Sequence, residues 1–157
     1  MQENQLDAID IRILEELTTD ARVSFVQLAK KLKVSNTLIH QRVKKMKALG
    51  ILKRAIYLID PEKLGFQTAT YTTIMLSNAK YHRQVEEALK GIPEIVECVN
   101  ISGRFALLVK IFARNNRHLR DIIYEKIHPI EGVESTNSTF SFETAFVRNV
   151  PFSKEEL

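Results

Sequence analysis

Residues 24–50 read SFVQLAKKLKVSNTLIHQRVKKMKALG, and the fold turns on how that stretch divides. Ser24 with Gln27 three positions on has the form of a capping box, so a short helix starts there, with Leu28, Ala29 and Leu32 on its inner face. It ends by Lys33. Ser35 opens another helix that runs through Ala48 or Leu49 and stops at Gly50, a residue favoured just past a helix end. Ile39, Val43, Met46 and Leu49 form a narrow apolar stripe on it, and Asn36, Thr37, His40, Gln41, Lys44, Lys45 and Lys47 fill its other faces. Upstream, Leu6, Ile9, Ile13, Leu14 and Leu17 repeat at helical spacing, which predicts a helix over about Asp7–Thr18 with Asp7 and Asp10 at its positive end. Three short helices with a brief Lys33-Val34 connection form the pattern of a helix-turn-helix.

Other small helical bundles share that pattern, and charge separates them. Residues 1–60 hold 11 Lys/Arg against 7 Asp/Glu, whereas residues 61–157 hold 12 against 12. The whole net charge of +4 therefore belongs to the first 60 residues. Nine basic residues and no acid lie between Lys30 and Arg54. A solvated face is the ordinary meaning of a charge run, but an acid-free run centred on one helix points to a polyanion, here double-stranded DNA. A helix of about 14 residues spans roughly 21 Å, more than a groove width, so only its N-terminal half need meet bases. Ser35 opens the DNA face; Asn36, Thr37, His40 and Gln41 are the candidates for base edges, and Arg42, Lys44, Lys45 and Lys47 for phosphates. Arg42 has a second reading, a salt bridge to Asp10 or another acid of the first helix.

The run Leu6-Asp7-x-Ile9-Asp10-x-x-Ile13-Leu14-x-x-Leu17, then Asp20-Ala21-Arg22, Leu28-Ala29-x-x-Leu32-x-Val34-Ser35, and Arg42-Val43-x-x-Met46-x-x-Leu49-Gly50-Ile51-Leu52 resembles the Lrp/AsnC (feast/famine) transcription regulators. The resemblance extends over nearly the whole chain. It implies a DNA-binding head joined to an effector-binding, oligomerising domain, and assemblies of dimers, commonly octamers.

After Gly50 the chain takes on strand character at Ile51-Leu52 and Ala55–Ile59, before a turn at Asp60–Gly65. Residues 67–147 then show a doubled unit. Strands are expected near 67–76, 95–102, 105–113 and 133–147, and helices over 81–90 and 116–127. The expected class is α+β: a helix-turn-helix (winged-helix-like) domain with a strand linker over 1–60, then a ferredoxin-like βαββαβ domain with an antiparallel sheet over 61–157. In Phe105–Phe112 both alternating sets, Phe105/Leu107/Val109/Ile111 and Ala106/Leu108/Lys110/Phe112, are largely apolar. Both sheet faces therefore want burial, with Phe140, Phe142 and Phe146 adding to the apolar surface. Helices cover one face, and a second copy of the chain is the simplest cover for the other, which predicts a homodimer.

The turn Ser102-Gly103-Arg104-Phe105-Ala106 stands where the resembled family reads Gly-Asp-Tyr/Phe-Asp in a loop that helps bind an amino-acid effector between dimers. Gly103 and Phe105 match, while Arg104 and Ala106 replace both acids. Three readings stay open: an altered effector, a site elsewhere along the interface, or no effector. Gly103, Arg104 and Phe105, with Thr136, Asn137 and Ser138 on the last strand, are the candidate effector residues.

Little points to other chemistry. His40, His82, His118 and His128 show no metal-ligand spacing with one another or with Cys98, for which a buried strand position is expected. No glycine-rich phosphate loop or assignable acid–base pair is present, and no cofactor is implied. The longest pure apolar run is Phe105–Val109, too short for a membrane span. A single cysteine and a polar Met1–Gln5 suggest a cytoplasmic protein. The reading is a homo-oligomeric, amino-acid-responsive transcription regulator and not an enzyme. The alternatives are a nucleoid-type architectural DNA-binding protein without an effector and a small-molecule enzyme built on the sheet.

Overall fold

The computed structural model describes residues 6–152. The chain forms two compact units, residues 6–58 with 146–152, and residues 59–145.

The first unit holds three helices: α1 (Ala8–Thr19), α2 (Phe25–Leu32) and α3 (Asn36–Ala48). Each start is set by a side chain. Asp7 caps α1, accepting from the amides of Ile9 and Asp10, and Asp10 reaches back to the Asp7 amide. Ser24 and Gln27 form the reciprocal pair at α2, and Ser35 accepts from the Leu38 amide at α3. Each such cap is worth about 1 kcal/mol. Ile13, Leu14, Leu28, Ala29, Leu32, Ile39, Val43 and Met46 form the buried core, with Phe25, Ile51, Leu52 and Phe152 packed against it.

Two of the expected strands after Gly50 do not form, and the winged-helix-like addition is absent from the described residues. At Ile51-Leu52 the reason is local. Gly50 takes a left-handed conformation, and the amides of Ile51 and Leu52 both turn back to the Met46 carbonyl, so these residues close the end of α3. Residues 55–59 are irregular and exposed, with Ile56, Tyr57, Leu58 and Ile59 in solvent. Strand propensity there finds no neighbouring strand to pair with.

The second unit is a four-stranded antiparallel sheet of β1 (Thr68–Leu76), β2 (Ile95–Asn100), β3 (Leu107–Ala113) and β4 (Val133–Ser141), in the order β2-β3-β1-β4. Helix α4 (His82–Lys90) links β1 to β2; α5 (Asn116–Asp121) continues as a π-helical segment, Ile122–Ile127, before β4. This is the ferredoxin-like βαββαβ order. Ile74, Leu107, Val109 and Ile111 pack with Val85, Leu89, Ile122 and Ile127 in the helix-covered core. Glu94, before β2, accepts from Lys126 at 2.7 Å and lies 3.3 Å from His118 Nε2, which ties the loop to the helical segment. Desolvation raises this carboxyl's pKa, but the hydrogen bonds and the Lys126 charge outweigh it, and the net shift is downward.

Three expectations need correction. The last strand ends at Ser141, so Phe142 and Phe146 lie beyond it. Phe140 pairs with Thr70, which puts it on the helix side of the sheet and not on the uncovered face. Cys98 is exposed, because β2 is an edge strand with a neighbour on one side only. Partial desolvation and the charge of Glu86 still hold its thiol above the usual value.

Candidate nucleic-acid interface

Helix α3 presents its inner stripe, Ile39, Val43 and Met46, to the core and is fixed there by the Ser35 cap. Ser35, Asn36, Thr37, His40, Gln41, Lys44, Lys45 and Lys47 are all exposed. Thr37, Gln41 and Lys44 follow at helical spacing and share one outward face. His40 stands edge-on to the Phe25 ring, 4.7 Å between centroids, so α2 orients its imidazole. No acid lies in the sequence between Lys30 and Arg54, so the charges that α3 itself carries are all positive. The short turn before α3 is made by Lys33, which takes a left-handed conformation at φ 56° and lets the Val34 amide reach the Ala29 carbonyl.

Arg42 behaves differently from its neighbours. Its Nη1 donates to Asp10 Oδ2 at 3.1 Å and lies 2.7 Å from Asp7 Oδ2, and its side chain is 26% exposed. Of the two readings of Arg42, the salt bridge is the one the structure contains. The amide of Asp10 is the main cause of a lowered Asp7 pKa; partial desolvation opposes it, and Arg42 adds to it.

The candidate effector residues are more scattered. Gly103 and Arg104 are exposed in the β2–β3 hairpin and Phe105 is half-buried, with the Arg104 guanidinium 5.8 Å from the Phe105 ring centre. Thr136 and Ser138 lie on β4, opposite Ile74 and Thr72 of β1. Thr136 Oγ1 bonds His128 Nε2 at 2.9 Å, and Ser138 Oγ bonds Thr72 Oγ1 at 2.8 Å. Both hydroxyls are satisfied on the helix side of the sheet, and β1 and β3 separate β4 from the hairpin strand β2. Asn137 points to the opposite face, and its carbonyl accepts from Thr73. At the hairpin end of the sheet the Ala106 amide donates to the Ile74 carbonyl and Thr136 pairs with Ile74 from the other side, so one strand lies between the hairpin and Thr136.

The sequence missed two features. Asp7 is the α1 cap itself; Asp at both the cap and the third helical position was a usable signal. The row formed by Thr68, Thr70 and Thr72 buries hydroxyls at the β1–β4 side of the core, which alternation alone would have marked as a polar face.

Comparison with known proteins agrees with this arrangement. Residues 6–47 match the AsnC-type helix-turn-helix domain, and residues 70–151 match the Lrp/AsnC ligand binding domain. The chain is 31% identical over 147 residues to the regulatory protein AsnC of Haemophilus influenzae, covering 94% of this chain and 98% of that one. It is 29% identical to Escherichia coli AsnC, whose structure superposes with a TM-score of 0.85 over 93% of this chain and 98% of that chain. A transcriptional regulator of Neisseria meningitidis, solved as its L-Met complex, shares the fold at a TM-score of 0.87 and 21% identity, with 98% and 100% covered. With both domain models matched in order and a relative of this identity along nearly its whole length, the chain belongs to the Lrp/AsnC family of helix-turn-helix transcriptional regulators.

Proposed function

We propose that α3 lies in the major groove of duplex DNA, with Asn36, Thr37, His40 and Gln41 toward base edges and Lys44, Lys45 and Lys47 on phosphates. The observation that carries this reading is the outward face of α3: exposed amides, hydroxyls and lysines, no acid, and a buried apolar seat behind them. A homodimer presents two such helices, so it favours half-sites about 34 Å apart or a multiple of that. The test is titration of duplex DNA at several salt concentrations. Contact with about six phosphates weakens binding roughly a thousandfold between ~50 and ~200 mM salt. A flat response overturns the reading.

The second unit supports self-association. Its uncovered sheet face carries Tyr71, Met75, Val99, Leu108 and Phe112, with Lys110 Nζ 5.3 Å from both the Tyr71 and Phe112 ring centres. A second copy is the cover that this reading assigns to the face. An amino acid is the proposed effector, on the strength of the matched ligand-binding domain and the L-Met complex of the Neisseria relative. A reading without an effector has its own support. Arg104 and Ala106 stand in the hairpin without acids, and Thr136 and Ser138 are already bonded. A thermal-shift panel of the common amino acids separates the two: an effector raises the melting temperature, and a panel with no response favours an architectural protein.

A further inference from the structure

Of the charged side chains on α3, Arg42 is the one turned toward another helix. It is one residue from Val43 and three from Ile39, on the flank of the buried stripe and away from the face of Thr37, Gln41 and Lys44. Its guanidinium meets two carboxylates that belong together. Asp7 and Asp10 are the two halves of the α1 capping box, and Arg42 Nη1 reaches Oδ2 of both, at 2.7 and 3.1 Å. Asp10 is fully buried. One planar cation thus ties the middle of α3 to the first turn of α1, where the helix start is already set by hydrogen bonds.

We propose that Arg42 is a positioning residue for DNA recognition: through Asp7 and Asp10 it fixes the axial register of α3 against α1, and so the depth at which Asn36, Thr37 and Gln41 meet the bases. The inference rests on the DNA reading above. Ile39, Val43 and Met46 share one buried core with Ile13 and Leu14, but apolar contact is non-directional and leaves the helix some freedom to slide and turn. A directional ion pair spanning 32 residues of sequence removes that freedom. Held on the flank of the buried stripe and away from the face of Thr37, Gln41 and Lys44, Arg42 adds direction to the helix contact in place of a phosphate contact.

The test uses the full chain and two duplexes. One is recovered by selection from a random library with the wild-type chain, and the other is a scrambled duplex of the same length. Asp10→Asn and Arg42→Met, singly and together, are compared with Lys44→Glu. For a positioning role, each single variant lowers the ratio of selected to scrambled affinity about tenfold, and the salt slope stays at the wild-type value. The double variant, which leaves no unpaired buried charge, recovers much of that ratio. Lys44→Glu instead lowers the slope and weakens both duplexes. A slope reduced by about 0.9 in Arg42→Met makes Arg42 a phosphate ligand and overturns the proposal. So does an Asp10→Asn variant that binds both duplexes more tightly, because a guanidinium loosened from one of its two acids would then be gaining contact with DNA. Should Arg42→Met fail to fold, Asp10→Asn and the double variant decide the matter. Selection that enriches no sequence at all overturns the DNA reading itself, and this inference with it.

Discussion

Gln41 and Lys44 stand three residues apart on the same exposed face of α3, and they differ in what they can read. A glutamine amide offers a donor and an acceptor in one plane, the pattern adenine presents in the major groove; an ammonium is a point charge that any phosphate satisfies. Gln41→Ala is therefore expected to cost about 1–3 kcal/mol on the selected sequence and little on a scrambled one. Lys44→Glu should weaken both alike and flatten the salt dependence by at least one phosphate contact. Equilibrium binding at two salt concentrations checks the pair, and a loss of discrimination in Lys44→Glu alone would exchange the two roles. At this scale the sequence was legible where a side chain's role depends on helical phase, as for Gln41. It was less so where the role depends on a distant partner. Arg42 could be read as a phosphate ligand or as half of an ion pair, because its carboxylates lie 32 and 35 positions upstream and only packing brings them within 3.1 Å. Cys98 was misread as buried for the same reason, since its exposure depends on β2 being an edge.

Between elements the decisive geometry is the turn from α2 to α3, made by a residue poorly suited to it. Lys33 holds φ at 56°, where a Cβ crowds the following carbonyl. Lys33→Gly relieves this at an exposed position and should stabilise the chain by about 1 kcal/mol in chemical denaturation, after allowing for glycine's larger unfolded-state entropy. Destabilisation instead would mean that the lysine side chain makes a contact worth more than the backbone relief. Helix ends were readable because their signals are local: Ser24 with Gln27, Ser35, and Gly50 all act within four residues. Ile51-Leu52 and residues 55–59 were not, because β-propensity states only that a side chain suits a pleated surface and not that another strand is present. In the first case the helix stop claimed the amides, and in the second the apolar side chains face solvent. The widening of the α5 region into a π-helical segment at Ile122–Ile127 was not read from the sequence, although the two buried isoleucines stand five residues apart, a spacing that suits a π-turn and not an α-helical stripe.

For the whole molecule, the proposed dimer makes the sheet domain's apolar face a determinant of DNA affinity. Leu108 points away from the helix-covered core, between Thr73 on β1 and Val99 on β2, and is half-buried. An aspartate there leaves the core of Leu107, Val109 and Ile111 intact but puts a charge where a second copy would exclude water. Leu108→Asp should keep its secondary structure by circular dichroism and sediment as a monomer. A monomer has one recognition helix. It loses the intramolecular second contact that raises the affinity of a two-headed binder by about 10²–10⁴, and with about half the phosphates its salt slope should fall by about half. All three readouts must move together, because they share one cause. A Leu108→Asp chain that still sediments as a dimer with wild-type binding would assign the interface to another surface, and the exposed apolar residues Ile56–Ile59 would be the next to test. A monomer that binds with unchanged affinity would show that each head reads its half-site independently, and the dimer would then serve assembly or effector response and not DNA recognition.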